Sequence, residues 1–416
     1  MRGSLVYFSR RWLCLALFLF LFAKRFFCRW QQRRRPPEVA QEFGLSLRTV
    51  QRLFVRFEQY GAAGIVPSYR PGRCPFATEA ALVEAVCQTR REHPRWGAEM
   101  IRLDLEADSA ALPCARTLQR HLRKAGLQPA PAGRPPRSAG LIPRADRPHQ
   151  GWQMDAAEEL RLQQGYACWL RIVDECSGAF LQTLIFACRR WEHVERHQVQ
   201  DGLRQVFVRW GLPQRLRIDN GFPWGSSGDF PPELALWLLG LGIELVWIPP
   251  ACPQQNGVVE RAQGTGKNWT EPHTCRDGGE LQRRCDDMDR RQRERYPYQD
   301  RHSRWEVYPE LKHSGRKYSR AWERRHWDLS QVLANVAERI AVRQVDRSGS
   351  ISLYHRTRYV GKPHIGQQVY VSLDPTGPTW VIADAEGREL RTHAAAELTR
   401  QRICSLSVAC RKGKQS

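Results

Sequence analysis

Three acids stand where chemistry could gather. Asp155 closes "WQMD" (152–155), Asp219 ends the apolar run in "LRIDNG" (216–221), and Glu260 lies three residues past the glycine of "PQQNGVVER" (253–261). None of these motifs holds a cysteine or histidine. A metal they shared would be a hard, oxygen-liganded cation, Mg²⁺ or Mn²⁺. Two such ions can activate a nucleophile and stabilise a leaving oxygen on phosphorus. Clustered carboxylates repel one another, so a cation is the natural way to keep them together and ionised. Each acid also has a plainer reading. Asp155 could face water from a strand, Asp219 could cap its own turn with Asn220 and Gly221, and Glu260 could pair with Arg261 or Lys267 on a helix surface. Glu158, Asp174 and Asp229 are nearby acids for which no catalytic role is expected.

The elements around the acids favour convergence. "WQMDAAEEL", "GYACWLRIVDE" and "GAFLQTLIFA" read as three strands joined by short turns. "VERHQVQDGLRQVFVRWG" reads as a helix ended by Gly211, then "RLRIDNG" as a fourth strand. "PPELALWLLGLG" is a helix, "IELVWIPP" a strand, and "QQNGVVERAQGTGKNW" opens a further helix. Strand–helix alternation after a meander predicts a mixed α/β sheet with helices on both faces, over 151–325. If its first and fourth strands are neighbours, Asp155, Asp219 and Glu260 meet at one end. The charged stretch 270–325 reads as helices and loops that pad this domain.

Two helical units precede it. Over 36–68 the apolar residues Val39, Phe43, Leu47, Val50, Leu53 and Phe54 keep helical period with one break, where Gly44 closes a helix and Ser46 can cap the next. Helix, short glycine turn, helix is the helix-turn-helix pattern. A second unit spans 78–127. Its last helix carries "RTLQR" (116–120), which echoes "RTVQR" (48–52) at an equivalent place. Arg48, Thr49, Gln51, Arg52, Arg116, Thr117, Gln119, Arg120 and Arg123 suit base edges and phosphates. A solvated basic helix face is the alternative for either copy alone. The Pro- and Arg-rich segment 128–150 reads as an extended basic linker.

Composition agrees with a polyanionic partner. The 416 residues carry a net charge of +22, and the pI is near 9.9. Double-stranded DNA is the simplest partner. The 13 cysteines form no CxxC pair, so they are expected to be reduced and mostly buried in a cytoplasmic, nucleoid-associated protein. Residues 1–35 contain an apolar run of 12, Trp12 to Ala23, among nine basic residues and no acid. A spanning helix needs about 20 apolar residues, so this segment is expected to be an extension outside the fold rather than an anchor, and no membrane is expected as a partner. Residues 338–400 turn to short alternating runs separated by Ser-Gly, Thr-Gly and Glu-Gly, which predicts a small β-barrel.

"WQMD", "IDNG" and "PQQNGVVER", in this order, resemble the catalytic core of the retroviral-integrase superfamily, especially the DDE transposases of bacterial insertion sequences. The resemblance covers residues 36–400. It implies a ribonuclease-H-like core, with Asp155, Asp219 and Glu260 as the metal-binding catalytic triad. Asn220, Gly221, Gln255, Asn256 and Gly257 would shape the site, and Asn220, Gln255, Asn256 and Gly257 would touch DNA. It further implies two Mg²⁺ or Mn²⁺ ions, cleavage at an element's ends, transfer of the freed 3′-hydroxyl to target DNA, and a homo-oligomer on paired ends. The chain departs from the family in two ways. Forty residues separate Asp219 from Glu260, somewhat more than usual, with "PWGSSGDFP" (223–231) as the apparent insertion, and the apolar leader is foreign to it. A DNA-binding regulator with an inert core and a nuclease of the same fold remain as alternatives.

Overall fold

A computed structural model describes residues 28, 32, 34–61, 78–106, 112–128, 144–190, 194–221, 229–249 and 253–409. Most of the leader, most of the linker and most of the expected 223–231 insertion lie outside them. The chain divides into two compact units, residues 1–79 and 80–416.

The first unit holds α1 (Pro36–Phe43) and α2 (Leu47–Tyr60). Gly44 ends α1 in the left-handed region, φ 62°, where a side chain would be strained. Ser46 caps α2 by accepting from the Thr49 amide at 3.2 Å. Val39, Ala40, Val50 and Phe57 form the small core between the two helices.

The second unit opens with α3 (Ala80–Glu92), α4 (Ala98–Leu105) and α5 (Ala115–Lys124). Strands β1 (Gly151–Leu162), β2 (Gly165–Asp174) and β3 (Phe180–Cys188) follow as the expected meander. Then come α6 (Arg196–Trp210), β4 (Arg215–Ile218), α7 (Glu233–Gly240), β5 (Glu244–Trp247), a 3-10 turn over Pro253–Asn256, α8 (Gly257–Thr270) and α9 (Gly278–Glu294). The sheet order is β3-β2-β1-β4-β5. β1 is antiparallel to β2 and parallel to β4, so the first and fourth strands are indeed neighbours.

The two-residue period of the strands sorts their side chains. Trp152 and Met154 of β1, with Cys168, Leu170 and Ile172 of β2, join Leu203 and Phe207 of α6 and Trp237 of α7 in the main core. On the other face Val173 and Phe180 meet Val259 and Ala262 of α8, and Trp169 meets Leu281 and Cys285 of α9. Helices therefore cover both faces, and the odd-numbered residues of β1, Gln153 and Asp155, point towards α8.

The helical unit α3–α5 does not stand apart from this core. Val86, Trp96, Ile101 and Leu118 share one apolar cluster with Trp269 of α8 and Met288 of α9. The Trp96 indole donates to the Trp269 carbonyl at 2.9 Å, and His93, stacked on Trp96 at 3.8 Å, lies 2.7 Å from a Glu271 oxygen.

The tail is β-structured as expected, but it is not a closed barrel. β6 (Ala341–Gln344), β9 (Gln368–Asp374), β10 (Thr379–Ala383) and β11 (Glu389–Ala394) form an open sheet in the order β11-β10-β9-β6, beside a β7 (Ser350–Leu353)–β8 (Arg356–Tyr359) hairpin. Among the described residues β6 and β11 have no pairing with each other. Val369, Val371, Trp380 and Ile382 on the inner face join the main core instead, so the sheet is closed by packing rather than by hydrogen bonding.

Candidate active site and nucleic-acid interface

The site is built on three elements that the sequence must hold in register. β1 and β4 run parallel with Gln153 opposite Arg217. Asp155 on β1 and Asp219 just past β4 each lie two residues beyond that pair, and the Asp219 charge reaches Asp155. Burial pushes the Asp155 carboxyl up to about 6, and the charges of Asp219 and Glu260 push it the same way, so all three acids act on one region. Burial also raises Asp219, against hydrogen bonding from the Gly221 amide and its own. Glu260 is exposed, in the first turn of α8.

Helix α8 is fastened to β1 by two glutamines that sequence reasoning missed. The Gln153 side chain accepts from the Val259 amide at 3.2 Å and donates to the Gln255 carbonyl at 3.4 Å, so it holds the start of the helix. One turn on, the Gln263 amide donates to the Asp155 main-chain carbonyl and to its Oδ2, both at 3.0 Å. The Gln263 oxygen in turn takes the Trp169 indole N–H at 2.5 Å. Their signal in the sequence was faint: a glutamine on the inward face of a strand, and another three residues after Glu260.

The remaining predicted residues frame the acids. Asn220 donates to the Ile248 carbonyl at 2.9 Å and ties the Asp219 turn to the end of β5. Gly221 sits so close to Asp219 that a Cβ there would lie 2.8 Å from Oδ2. Asn256 is buried, Gln255 is half-buried, and Gly257 opens α8 with free space around it. The buried Oδ1 atoms of Asn220 and Asn256 have no partner among the described residues. No group of three or more His, Cys, Asp or Glu side chains among the described residues is drawn together closely enough to hold a metal ion. The acids share a field and an oxygen-only chemistry, but they are not gathered to one point.

Asp174 belongs to the fold instead. It is fully buried and accepts from the His149 amide at 2.7 Å, the Ser177 amide at 2.8 Å and the Ser177 hydroxyl at 2.6 Å. Asp229 is ion-paired with Arg343.

Of the residues expected to read DNA, Arg48, Gln51 and Arg52 are exposed on α2, and Arg116, Gln119, Arg120 and Arg123 are exposed on α5. The two threonines are partly buried. The Thr49 hydroxyl is 2.7 Å from the Ser46 hydroxyl, and the Thr117 hydroxyl is 3.5 Å from the Cys114 sulfur. Each bonds within the first turn of its helix, to the residue at the N-cap position.

A homeodomain-like domain model matches residues 49–122, from the first turn of α2 to the last turns of α5. The chain is 32% identical over 134 residues to the intracisternal A-particle Pol-related polyprotein of mouse intracisternal A-particle MIA14. It spans 14% of the length of that relative, and the match covers 31% of the chain. Among solved structures it is similar to a chain of the simian T-cell lymphotropic virus intasome in complex with PP2A regulatory subunit B56 gamma, at 18% identity and a TM-score of 0.33, covering 56% of this chain and 76% of that one. It is also similar to the catalytic core domain of BIV integrase, at 21% identity and a TM-score of 0.29, covering 40% of this chain and 97% of that one. No helix among the described residues is long and apolar enough to cross a membrane. Among the described cysteines all are free, and Cys87, Cys168, Cys275 and Cys285 are buried as expected.

Proposed function

We propose that the chain is a DDE transposase or integrase: it binds the ends of a mobile DNA element and catalyses metal-dependent cleavage and strand transfer at phosphodiesters. The observation that supports this reading is the parallel β1–β4 register, which runs to within two residues of Asp155 and Asp219, with the helix of Glu260 tied to Asp155 through Gln263. Asp155, Asp219 and Glu260 would hold Mg²⁺ or Mn²⁺, two ions by the resemblance of their motifs. An all-carboxylate donor set suits a hard cation, and the Asp155 carboxyl, raised first by burial and then by the charges of Asp219 and Glu260, is one whose ionised form a cation would favour. The chemistry supplied there would be charge neutralisation at phosphorus and activation of the attacking oxygen.

The chain's own residues supply position. Gln263 holds the Asp155 carboxylate in one orientation. Asn220 fixes the turn that carries Asp219, and Gln153 fixes the start of the helix that carries Glu260. The exposed arginines of α2 and α5 would supply base and phosphate contacts, and the net charge of +22 supplies the field that draws DNA in. Joining two ends in one reaction calls for a homo-oligomer.

The test is a cleavage and strand-transfer assay on oligonucleotides carrying the element's terminal repeats, with Mg²⁺ or Mn²⁺. Cleaved ends and joined products are expected, and a chelator should abolish both. Protein that binds the ends tightly but leaves them uncut with either ion would instead be a regulator with an inert core.

A further inference from the structure

A groove runs along the flank of α8, one residue round the helix from Glu260. Val258, Arg261, Ala262, Thr265 and Trp269 recur at helical spacing along that flank. The β2–β3 turn and the segment after α9 complete a cavity of about 250 Å³. Its lining holds three arginines, Arg144, Arg261 and Arg304, and four aromatic rings, Phe180, Trp269, Tyr296 and Tyr298, with no carboxylate among them.

The cations and rings are arranged for use. The Arg304 guanidinium lies over the Tyr298 ring at 4.5 Å and is fixed by donating to the Ser177 carbonyl at 3.1 Å. Tyr298 is 41% exposed, so its ring remains accessible. Trp269 and Tyr296 meet at 5.0 Å and form a second, deeper aromatic wall. Arg144 and Arg261 are exposed, and neither has an ion pair among the described residues. Arg144 also lies where the basic segment 128–150 meets the core. Stacking rings beside unpaired cations fit a ligand with a flat base and a phosphate. A purely apolar ligand would leave the arginines desolvated without return, and a simple anion would not need the rings.

We propose that this groove is a binding site for a single unpaired nucleotide of the DNA strand, its base stacked on Tyr298 and its phosphate on Arg261 and Arg144. This rests on the reading of the chain as a DNA-processing enzyme. The groove would take a frayed terminal nucleotide and so place the adjoining phosphodiester near Glu260. Selectivity would be for unpaired over paired ends, with little preference among bases, because every base has a stacking face.

The experiment uses the full chain and a labelled duplex of the terminal repeat, either blunt or ending in one unpaired 2-aminopurine nucleotide. Wild-type protein should bind the unpaired end more tightly and quench the 2-aminopurine fluorescence. Arg261→Ala and Tyr298→Leu should each weaken binding to the unpaired end about tenfold and change the blunt duplex by no more than about twofold. Tyr298→Leu should also abolish the quenching. Equal losses on both duplexes, or no loss on either, overturn the groove and leave the DNA reading standing. Wild-type protein that binds neither duplex overturns both.

Discussion

Gln263 donates one side-chain amide to both the carbonyl and the carboxylate of Asp155, each at 3.0 Å. A helix is thereby locked to a strand at the residue where the chemistry is expected. Gln263→Leu keeps much of the volume and removes both bonds. Residues that orient metal ligands typically matter about 10- to 100-fold. Cleavage should fall by that order, and the Mg²⁺ concentration for half-maximal rate should rise. DNA affinity should be unchanged. A lower rate with an unaltered Mg²⁺ requirement would mean that Gln263 serves packing alone.

Asp155→Asn, Asp219→Asn and Glu260→Gln remove one charge each at nearly constant shape. Each should nearly abolish cleavage and joining while DNA binding survives, since binding rests on other elements. Double changes should cost little more than single ones, because the three act as one site. Asp155→Asn should melt no lower than wild type, since burial already penalises that charge. Near-normal cleavage by any one of the three would remove that residue from the site.

The exposed arginines on α2 and α5 should carry end recognition. Arg48→Ala with Arg52→Ala, and Arg116→Ala with Arg120→Ala, should each weaken binding to the terminal repeat. The expected loss is about 1–3 kcal/mol for each base-reading contact removed. Footprints of the two double variants should lose protection over separate, adjacent stretches. Thr49→Ala and Thr117→Ala should act mainly through helix stability, since each bonds to the side chain at the start of its own helix. Unchanged affinity in both arginine pairs would leave the basic helix faces merely solvated.

Acid should loosen the packing of α6 through Glu323. Burial alone would raise this carboxyl, but hydrogen bonds from Arg204, Tyr318 and the Trp237 indole outweigh it and hold the carboxyl below its ordinary value. The unfolded chain then takes up the proton first, so the stabilisation is present above the ordinary glutamate range and is lost as pH falls through it. The melting temperature should drop between about pH 5 and pH 3, and Glu323→Gln should flatten that drop. An identical slope in the variant would assign the acid sensitivity elsewhere.

How much of this was legible in the sequence depended on how far apart the partners lie. Gly44 and Ser46 act within one turn, so the α1–α2 corner could be read from local signals. Asp155, Asp219 and Glu260 stood out through the motifs around them: Asp155 lies inside β1, Asp219 just past β4 and Glu260 in the first turn of α8. Gln153 and Gln263 were not, because a glutamine on an inward face carries no signal until its partner, 106 or 108 residues away, is known. The docking of α3–α5 on the core is of the same kind. Trp96 and Trp269 are 173 residues apart and read individually as ordinary core. The open tail sheet was expected to close because turn spacing predicts strands but not what covers their edges.

Behind the site lies a buried ion pair that no motif announces. Arg171 sits opposite Asp155 in the β1–β2 register, sandwiched between the rings of Trp169 and Phe180 at 4.8 and 4.7 Å. Its Nη1 donates to Asp289 on α9 at 3.2 Å, and Thr183 donates to the other Asp289 oxygen at 2.8 Å. Its Nε and Nη2 are buried without partners, and Gly266 of α8 lies so close that a Cβ there would collide with the guanidinium. Asp289→Ala would strand a buried cation and should cost about 3–5 kcal/mol. Replacing both partners together, Arg171→Met with Asp289→Leu, should recover much of that loss, since no charge remains to desolvate. Gly266→Ala keeps both charges but drives a Cβ into the Arg171 guanidinium, so α8 must shift away from the sheet or the pair must give. It should lower cleavage more than its modest stability cost of about 1–3 kcal/mol would suggest, because Glu260 rides on the displaced helix. Chemical denaturation of all three variants, alongside cleavage by Gly266→Ala, separates these effects. An Asp289→Ala protein within about 1 kcal/mol of wild type would show that Arg171 is held by its two rings rather than by its charge partner.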